Sequence, residues 1–354
     1  MAIFPDLIES ANLALDAYGL AGARLSPMDG GLINRTYRVD AAEASYVLQW
    51  VNPIFDPRMH DDIEAVTQAL AANGLVTPRL VRTLAGELHA RALVGAQEGV
   101  WRVMTFIAGR TFQRVTSAAL AEAAGALVGR FHRAVDAVDC SFHYARTGVH
   151  DTPAHLRRLR DSLASHANHA EFAHIAPLAK RILNAADALP PLPATPARAA
   201  HGDLKISNVL FEETREAARC LVDLDTLSRM PIAVELGDAL RSWCNPLGEE
   251  APDSAVEPAL FAAALRGYAR GTASLLTAEE RGSLVLGMQT IALELAARFC
   301  ADALEEHYFG WDATRFRTRS EHNRVRATSQ LALAESVARS ASALEAAARG
   351  AFAA

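Results

Sequence analysis

Apolar positions recur at two different spacings along this chain, and the change between them divides it. Residues 3–21 carry Phe4, Leu7, Ile8, Leu13 and Leu15 at roughly helical spacing, which predicts an amphipathic helix with those five on one face. The period then shortens to two. Leu25 leads into Gly30-Gly31, Thr36 to Val39 alternate, and Tyr46 to Val51 make a short β-rich run. A helix is predicted over 58–72, where Met59, Ile63, Val66 and Leu70 repeat every three or four residues. Strands are predicted at 77–84, 90–93 and 101–112, the last closing in a glycine-containing turn.

From about residue 117 the helical period takes over. One strong helix is predicted at 117–136 and two more within 151–188. A proline-rich connector, 189–198, is semi-rigid and interrupts the pattern. It leads into a single β-island at 200–226, after which helical spacing runs from about 230 almost to an Ala-rich tail that is expected to fray. The outline is a strand-rich first third and a helical remainder with one island of strands.

With 354 residues there is chain enough for two lobes, each with its own core. A net charge of −6 argues against a general nucleic-acid binder, which needs a basic face for phosphates. Cys140, Cys220, Cys244 and Cys300 are widely spaced, so zinc-ribbon and dithiol readings fail and buried thiols are expected. The N-terminus lacks a basic segment followed by a long apolar stretch. No apolar run approaches the ~18–20 residues of a membrane span. No membrane association and a cytoplasmic location are expected. The histidines at 143, 150, 155, 166, 169 and 174 show no metal-ligand spacing and read as solvated helix and loop residues.

The island carries the chemistry. In "HGDLKISNVLFEE", His201 to Ser207 is predicted as a loop and Asn208 to Phe211 as a strand; Cys220 to Asp223 is the next strand. A carboxylate in such a loop, Asp203, can accept a proton from a substrate hydroxyl. An amide oxygen and a carboxylate at adjacent strand ends, Asn208 and Asp223, can together hold Mg²⁺, which prefers hard oxygen ligands. These are the parts of phosphoryl transfer, where catalysis is mostly positioning and charge neutralisation. Any one of these aspartates alone would be a turn or capping group. The set at this spacing is what points to chemistry.

The stretch His201-Gly202-Asp203 with Lys205 and Asn208, followed twenty residues after Asp203 by "LVDLDT", resembles the aminoglycoside-phosphotransferase branch of the protein-kinase-like fold. "YVLQ" and "LELAARF" make the chain more similar still to the N-acetylhexosamine 1-kinase group. The resemblance implies an α+β, two-lobed kinase-like fold: residues 1–107 an antiparallel-sheet lobe covering the nucleotide, and 108–354 a larger, mostly helical catalytic and substrate lobe. It further implies ATP and Mg²⁺ bound between the lobes, with a hinge near Met104 to Ala108 that includes Phe106. Asp203 is implied as the base and Asn208 and Asp223 as the metal ligands. Lys205 would face the transferring phosphate. "DGGLINRTY" would be the loop over the phosphates, placing Gly30, Gly31, Asn34 and Thr36 at the nucleotide.

One departure from the wider superfamily stands out. The third strand carries Gln49 where a phosphate-holding lysine is usual, which puts an ion pair with a helix carboxylate, Glu64, in doubt. For the acceptor, Asp225, one pleat beyond Asp223 on the same side, is expected to meet sugar hydroxyls together with Arg298 and Tyr308. Asp238 and Arg241 are expected to be a structural pair bracing the catalytic loop. The implied substrate is a sugar, with an aminoglycoside or an amino alcohol such as choline or homoserine as the rival. The arginines at 241, 298, 315 and 317 weigh against a polycationic acceptor. A nucleotide-binding regulator without turnover rests only on Gln49. The sequence leaves the oligomeric state open.

Overall fold

Helix α1 (Ile8–Asp16) opens the computed structural model, which describes residues 7–28, 33–94, 97–139, 142–143 and 150–353. Its buried face is Leu7, Ala11, Ala14 and Leu15, continued by Tyr18, whereas Ile8 and Leu13 are exposed at 41% and 51%. The expected apolar face is therefore corrected. Positions 7, 11, 14, 15 and 18 follow the 3.6-residue period only when the small alanines count as apolar, and that stripe excludes Leu13. Phe4 lies outside the described residues.

The strands that follow are β1 (Arg24–Pro27), β2 (Arg35–Asp40) and β3 (Ser45–Val51). After α2 (Met59–Ala72) come β4 (Leu80–Val81), β5 (Ala90–Val94) and β6 (Gln97–Thr105). All pairings are antiparallel, in the order β1-β2-β3-β6-β4, with β5 also paired to β6. Two strand expectations are revised. The run 77–84 forms only the two residues of β4, and β6 stops at Thr105 rather than continuing to 112. The second follows from register: Thr105 is opposite Tyr46, one residue from the start of β3, so the ladder runs out of partner.

One face of this sheet packs on α1 through Tyr37, Val39, Leu48, Trp101 and Val103. Side chains alternate along a strand, so their neighbours Thr36, Gln49 and Arg102 point to the other face. Register puts Thr36 opposite Gln49 and Gln49 opposite Arg102, making one polar row across β2, β3 and β6. On α2, Met59, Ile63, Val66 and Leu70 are buried, as their spacing predicts.

The chain divides into two compact units. One comprises Met1–Gly109, Ala134–Ala145 and Cys220–Ser228; the other Arg110–Arg133, Arg146–Arg219 and Arg229–Ala354. The second holds most of α3 (Ala118–Val135), then α4 (Thr152–Ser165) and α5 (Phe172–Asp187). Short strands β7 (Ala197–Ala200), β8 (Val209–Phe211), β9 (Ala218–Leu221) and β10 (Ser228–Pro231) mark the island. Then come α6 (Ile232–Trp243), α7 (Pro258–Thr272), α8 (Ala278–Gly282), α9 (Leu284–Glu305) and α10 (Arg319–Ala353). Local chemistry sets several starts. Asp151 caps α4 by accepting from the Ala154 N–H at 3.0 Å, and Thr277 with Glu280 forms a capping box at α8. The Ala-rich tail stays helical, with Leu344, Ala348 and Ala351 buried.

Helix α9 is the centre of this unit, packed by α4, α5, α6 and α10. It is long and apolar enough to cross a membrane by length and composition, which corrects the expectation that no such run exists. Of its most apolar window 78% is buried inside the protein, so it serves as a core helix. Helix α6 lies very close to it: a Cβ on Gly287 would stand 2.1 Å from the Ala233 carbonyl oxygen, and one on Gly237 2.6 Å from that of Gly287. Glycine is required at that crossing. Cys220, Cys244 and Cys300 are buried thiols, and Cys140 lies outside the described residues.

Candidate active site

The loop after β7 turns at Gly202, whose φ of 81° is disfavoured for any residue with a Cβ. Leu204 and Ile206 are buried and anchor the loop from below. From α6, the Glu235 carboxylate accepts the backbone N–H of His201 at 2.7 Å and of Gly202 at 3.0 Å. Trp243, on the same helix, donates its indole N–H to the Leu204 carbonyl at 2.7 Å. The loop is thus held by backbone contacts, and its side chains are left for other work.

Those side chains converge. Lys205 Nζ stands 2.5 Å from Asp203 Oδ2, and the Asn208 amide donates to the Asp203 carbonyl at 2.9 Å and to Oδ2 at 3.1 Å. Asp203 and Lys205 keep 29% and 42% side-chain exposure, so the carboxylate is oriented without being sealed off. Asn208 ends a short 3₁₀ turn (Ile206–Asn208) instead of opening a strand, which tightens the loop enough for its amide to reach back to Asp203. Across from the loop, Arg110 and Phe211 exchange backbone hydrogen bonds of 2.9 Å.

Glu235 is fully buried. Burial by itself raises a carboxyl pKa, but the contact with His132 and the charges of His132 and His201 outweigh it and hold Glu235 below the usual glutamate range. His132 Nε2 lies 3.5 Å from Glu235 Oε1, and its Nδ1 meets the Tyr268 hydroxyl at 2.9 Å.

Asp223 does not lie in a strand as expected. The ladder ends at Leu221, and Asp223 adopts a left-handed conformation with φ 65° and ψ 56° ahead of a 3₁₀ turn, Leu224–Thr226. Aspartate tolerates this region better than most residues, and such geometry gathers at functional positions. The donor chemistry suits Mg²⁺. Asn208 uses its amide nitrogen on Asp203, which leaves its oxygen as the remaining acceptor, and Asp223 carries a carboxylate, both hard oxygen groups.

The same turn overturns the pleat placement of Asp225. That residue is 2% exposed, with Arg102 Nη1 2.6 Å from one oxygen and the Asn34 amide donating to the other at 2.6 Å. Gln49 is drawn into the same group, its oxygen accepting from Arg102 and its nitrogen donating to Thr36 Oγ1 at 3.0 Å. Glu64 pairs with Arg82 at 3.3 Å. Met104 lies in β6 opposite Val47, and Phe106 just past it donates its N–H to Ser45 at 3.3 Å and carries Arg38 4.5 Å over its ring. Gly30 and Gly31 lie outside the described residues.

In the helical unit, Arg298 and Tyr308 come together: the guanidinium is 6.0 Å from the Tyr308 ring and 5.6 Å from that of Phe309. Asp302 shapes the segment that carries these rings, accepting from the backbone N–H groups of His307, Tyr308 and Phe309 at 3.1, 2.8 and 2.9 Å. Glu294 is 1% exposed, accepts from Thr152 Oγ1 at 2.6 Å and lies 3.1 Å from His150 Nδ1. His150 is thus a partly buried partner of Glu294 and not a solvated residue. Burial lowers its pKa, but Glu294 and the charge of Asp238 reverse the sign and raise it. Asp238 and Arg241 do pair, at 2.7 Å, and Arg241 also pairs with Glu249 at 2.5 Å. The direct hold on the Asp203 loop comes from Glu235 and Trp243 of the same helix.

Residues 24–276 match the family described as the phosphotransferase enzyme family, APH. The chain belongs to that family. It is a kinase-like phosphotransferase that acts on an alcohol group, with ATP as the phosphate source.

Solved structures agree with the phosphotransferase fold. A microcompartment-associated aminopropanol kinase is 17% identical with a TM-score of 0.63, covering 96% of this chain and 98% of its own. An aminoglycoside phosphotransferase from Alicyclobacillus acidocaldarius is 15% identical with a TM-score of 0.61, covering 94% and 96%. Amicoumacin kinase in complex with AMP-PNP, Ca²⁺ and its ligand is 13% identical with a TM-score of 0.58, covering 87% of each chain.

Sequence reasoning missed four residues of this phosphotransferase: Glu235, Arg102, Glu294 and Asp302. Each is a charged residue inside an otherwise apolar element, as in "VELGDAL", "VWRVM" and "ALELAARFCADAL". A charge is rarely buried without a partner, and that was the available signal.

Proposed function

We propose that this phosphotransferase transfers the γ-phosphate of ATP·Mg²⁺ to a sugar hydroxyl, the anomeric hydroxyl of an N-acetylhexosamine. The observation that carries the reading is the Asp203 carboxylate, oriented by Lys205 and Asn208 on a loop held by buried Glu235. Asp203 takes the proton of the acceptor hydroxyl as the new O–P bond forms. The bond to the β-phosphate oxygen breaks in line, ADP leaves, and Asp203 returns its proton to solvent. Lys205, beside that carboxylate, offsets negative charge at the transferring phosphate. Asn208 and Asp223 would hold Mg²⁺, which when bound would neutralise charge on the phosphates. No covalent phosphoenzyme forms.

Arg298 with Tyr308 and Phe309 supports a neutral, hydroxyl-rich acceptor. The guanidinium, with Nη1 3.8 Å from Glu294, brings several N–H groups beside two aromatic rings, and that combination of polar groups and a flat apolar surface suits a sugar ring. The anomeric hydroxyl is also more acidic than an ordinary alcohol, which suits an aspartate base. The residue resemblance of "YVLQ" and "LELAARF" narrows the sugar to an N-acetylhexosamine.

An amino-alcohol acceptor is the second reading. Arg241 and Arg315, which would repel a cation if unpaired, are neutralised by Asp238, Glu249 and Glu250. A structural neighbour is an aminopropanol kinase. Measuring ATP consumption with N-acetylhexosamines, other sugars and amino alcohols tests the proposal, followed by phosphorus-coupled NMR of the product. A C1 phosphate is expected. A C6 phosphate, or turnover only with amino alcohols, would replace the sugar assignment.

A further inference from the structure

We infer that Arg102, oriented by Gln49 and joined to Asp225 and Asn34, is a positioning residue that sets the turn carrying Asp223. This rests on the reading above that Asp223 is a metal ligand.

Arg102 is 1% exposed, and a guanidinium has donors only. Its Nε and Nη2 reach the Gln49 oxygen at 2.9 and 2.6 Å, and Nη1 stands 2.6 Å from Asp225 Oδ1. Because an arginine accepts nothing, the Gln49 amide must turn its oxygen toward it. The amide nitrogen is then directed at Thr36 Oγ1, 3.0 Å away. Both polar ends of Gln49 are thereby engaged within the sheet, so its work is to aim Arg102.

Asp225 joins this row to two further points. Its other oxygen accepts from Asn34, whose own oxygen accepts the Asn52 N–H at 2.9 Å just past the end of β3. The turn Leu224–Thr226 therefore hangs from β6 through Arg102, and through Asn34 from the segments that precede β2 and follow β3. Asp223 immediately precedes it in a left-handed conformation that an aspartate does not hold by preference. Fixing residue 225 fixes the direction from which 223 presents its oxygens. The buried pair is also poor as a stabilising device, because well-packed apolar residues of the same volume often do as well. What it provides beyond stability is a defined distance between a rigid central strand and the turn.

The experiment is calorimetric titration of ATP at a series of MgCl₂ concentrations, paired with thermal melts, on wild type, Asp223→Ala, Arg102→Met and Arg102→Met/Asp225→Asn. Arg102→Met is expected to raise the Mg²⁺ needed for half-maximal ATP binding by roughly tenfold or more, the scale of losing a partner that orients a metal ligand. The double variant, which leaves no unpaired buried charge, is expected to recover melting temperature while keeping the Mg²⁺ shift. Should Arg102→Met fail to fold, the double variant decides the matter. A Mg²⁺ shift in Asp223→Ala with none in the Arg102 variants would sink this inference alone. No Mg²⁺-dependent ATP binding in wild type would sink the proposed function with it.

Discussion

Glu235 and His201, 34 residues apart, meet in the interior of the helical unit, with the His201 N–H donated to the Glu235 carboxylate at 2.7 Å. A second N–H, from Gly202, reaches the other oxygen at 3.0 Å. One buried anion on a rigid helix thereby satisfies two backbone donors of a loop that leaves the β ladder, and it holds the start of the segment that carries Asp203.

Replacing Glu235 by Gln leaves one acceptor and turns an NH₂ group toward a backbone N–H. An unmet buried donor costs about 1–3 kcal/mol, so a lower melting temperature and slower turnover are expected. The pH dependence follows from the lowered carboxyl pKa. The unfolded chain binds the proton more readily, so the Glu235 contribution is present above the ordinary glutamate value of about 4.3 and is lost as pH falls through the lower folded value. Melts from neutral pH into that acid range should show wild type losing more stability than Glu235→Gln. Parallel acid limbs would remove the carboxylate from this role.

Asp203→Asn keeps the shape of the side chain and removes the proposed base. Turnover should fall by roughly 10²–10⁴-fold, the usual range for a positioned general base, while ATP affinity stays nearly unchanged. Steady-state rates together with ATP titration check both halves. Near-normal turnover would reduce Asp203 to a loop residue.

Arg298→Met removes the guanidinium beside Tyr308 and Phe309 while keeping most of the apolar volume. For a sugar acceptor its KM should rise by roughly tenfold, about 1.4 kcal/mol of lost hydrogen bonding, with the KM for ATP unchanged. For an amino-alcohol acceptor the pairing of Arg298 with Glu294, 3.8 Å away, already offsets the guanidinium charge, so KM should change little. The size of the shift separates the two acceptor classes.

Gly287→Ala tests the α6–α9 crossing. The added Cβ would meet the Ala233 carbonyl oxygen at 2.1 Å, so the helices must separate, at a cost of about 1–3 kcal/mol. Because α6 carries Glu235, turnover should fall along with the melting temperature. Gly282→Ala is the control: a Cβ there meets nothing within 4 Å, and a change within about 0.5 kcal/mol is expected.

Periodicity located α2 and α3 to within about a residue or two and gave the outer limits of the pair α4 and α5 without the break between them. At α1 it placed Leu7 and Leu15 on the buried face but missed Ala11 and Ala14 and added the exposed Ile8 and Leu13. It also failed at β4 and at the end of β6, because a strand lasts only as long as its neighbour in the ladder. The residues at Asp223 read as strand, yet the backbone there is left-handed. A β-rich sequence does not reveal where its pairing ends.

The sequence by itself determined the grouping of Asp203, Lys205 and Asn208, because they fall within six consecutive residues and one short turn brings them into contact. It determined the succession of strand-rich and helical regions for a similar reason, since period is a local property. Tertiary structure alone decided that Glu235 would hold the loop and that Asn34, Gln49, Arg102 and Asp225 would form one group. Those contacts span up to 191 positions. They depend on which strands pair, in what register, and on which side of the sheet each side chain emerges. A one-residue slip would move Arg102 to the other face and leave its charge and that of Asp225 without each other.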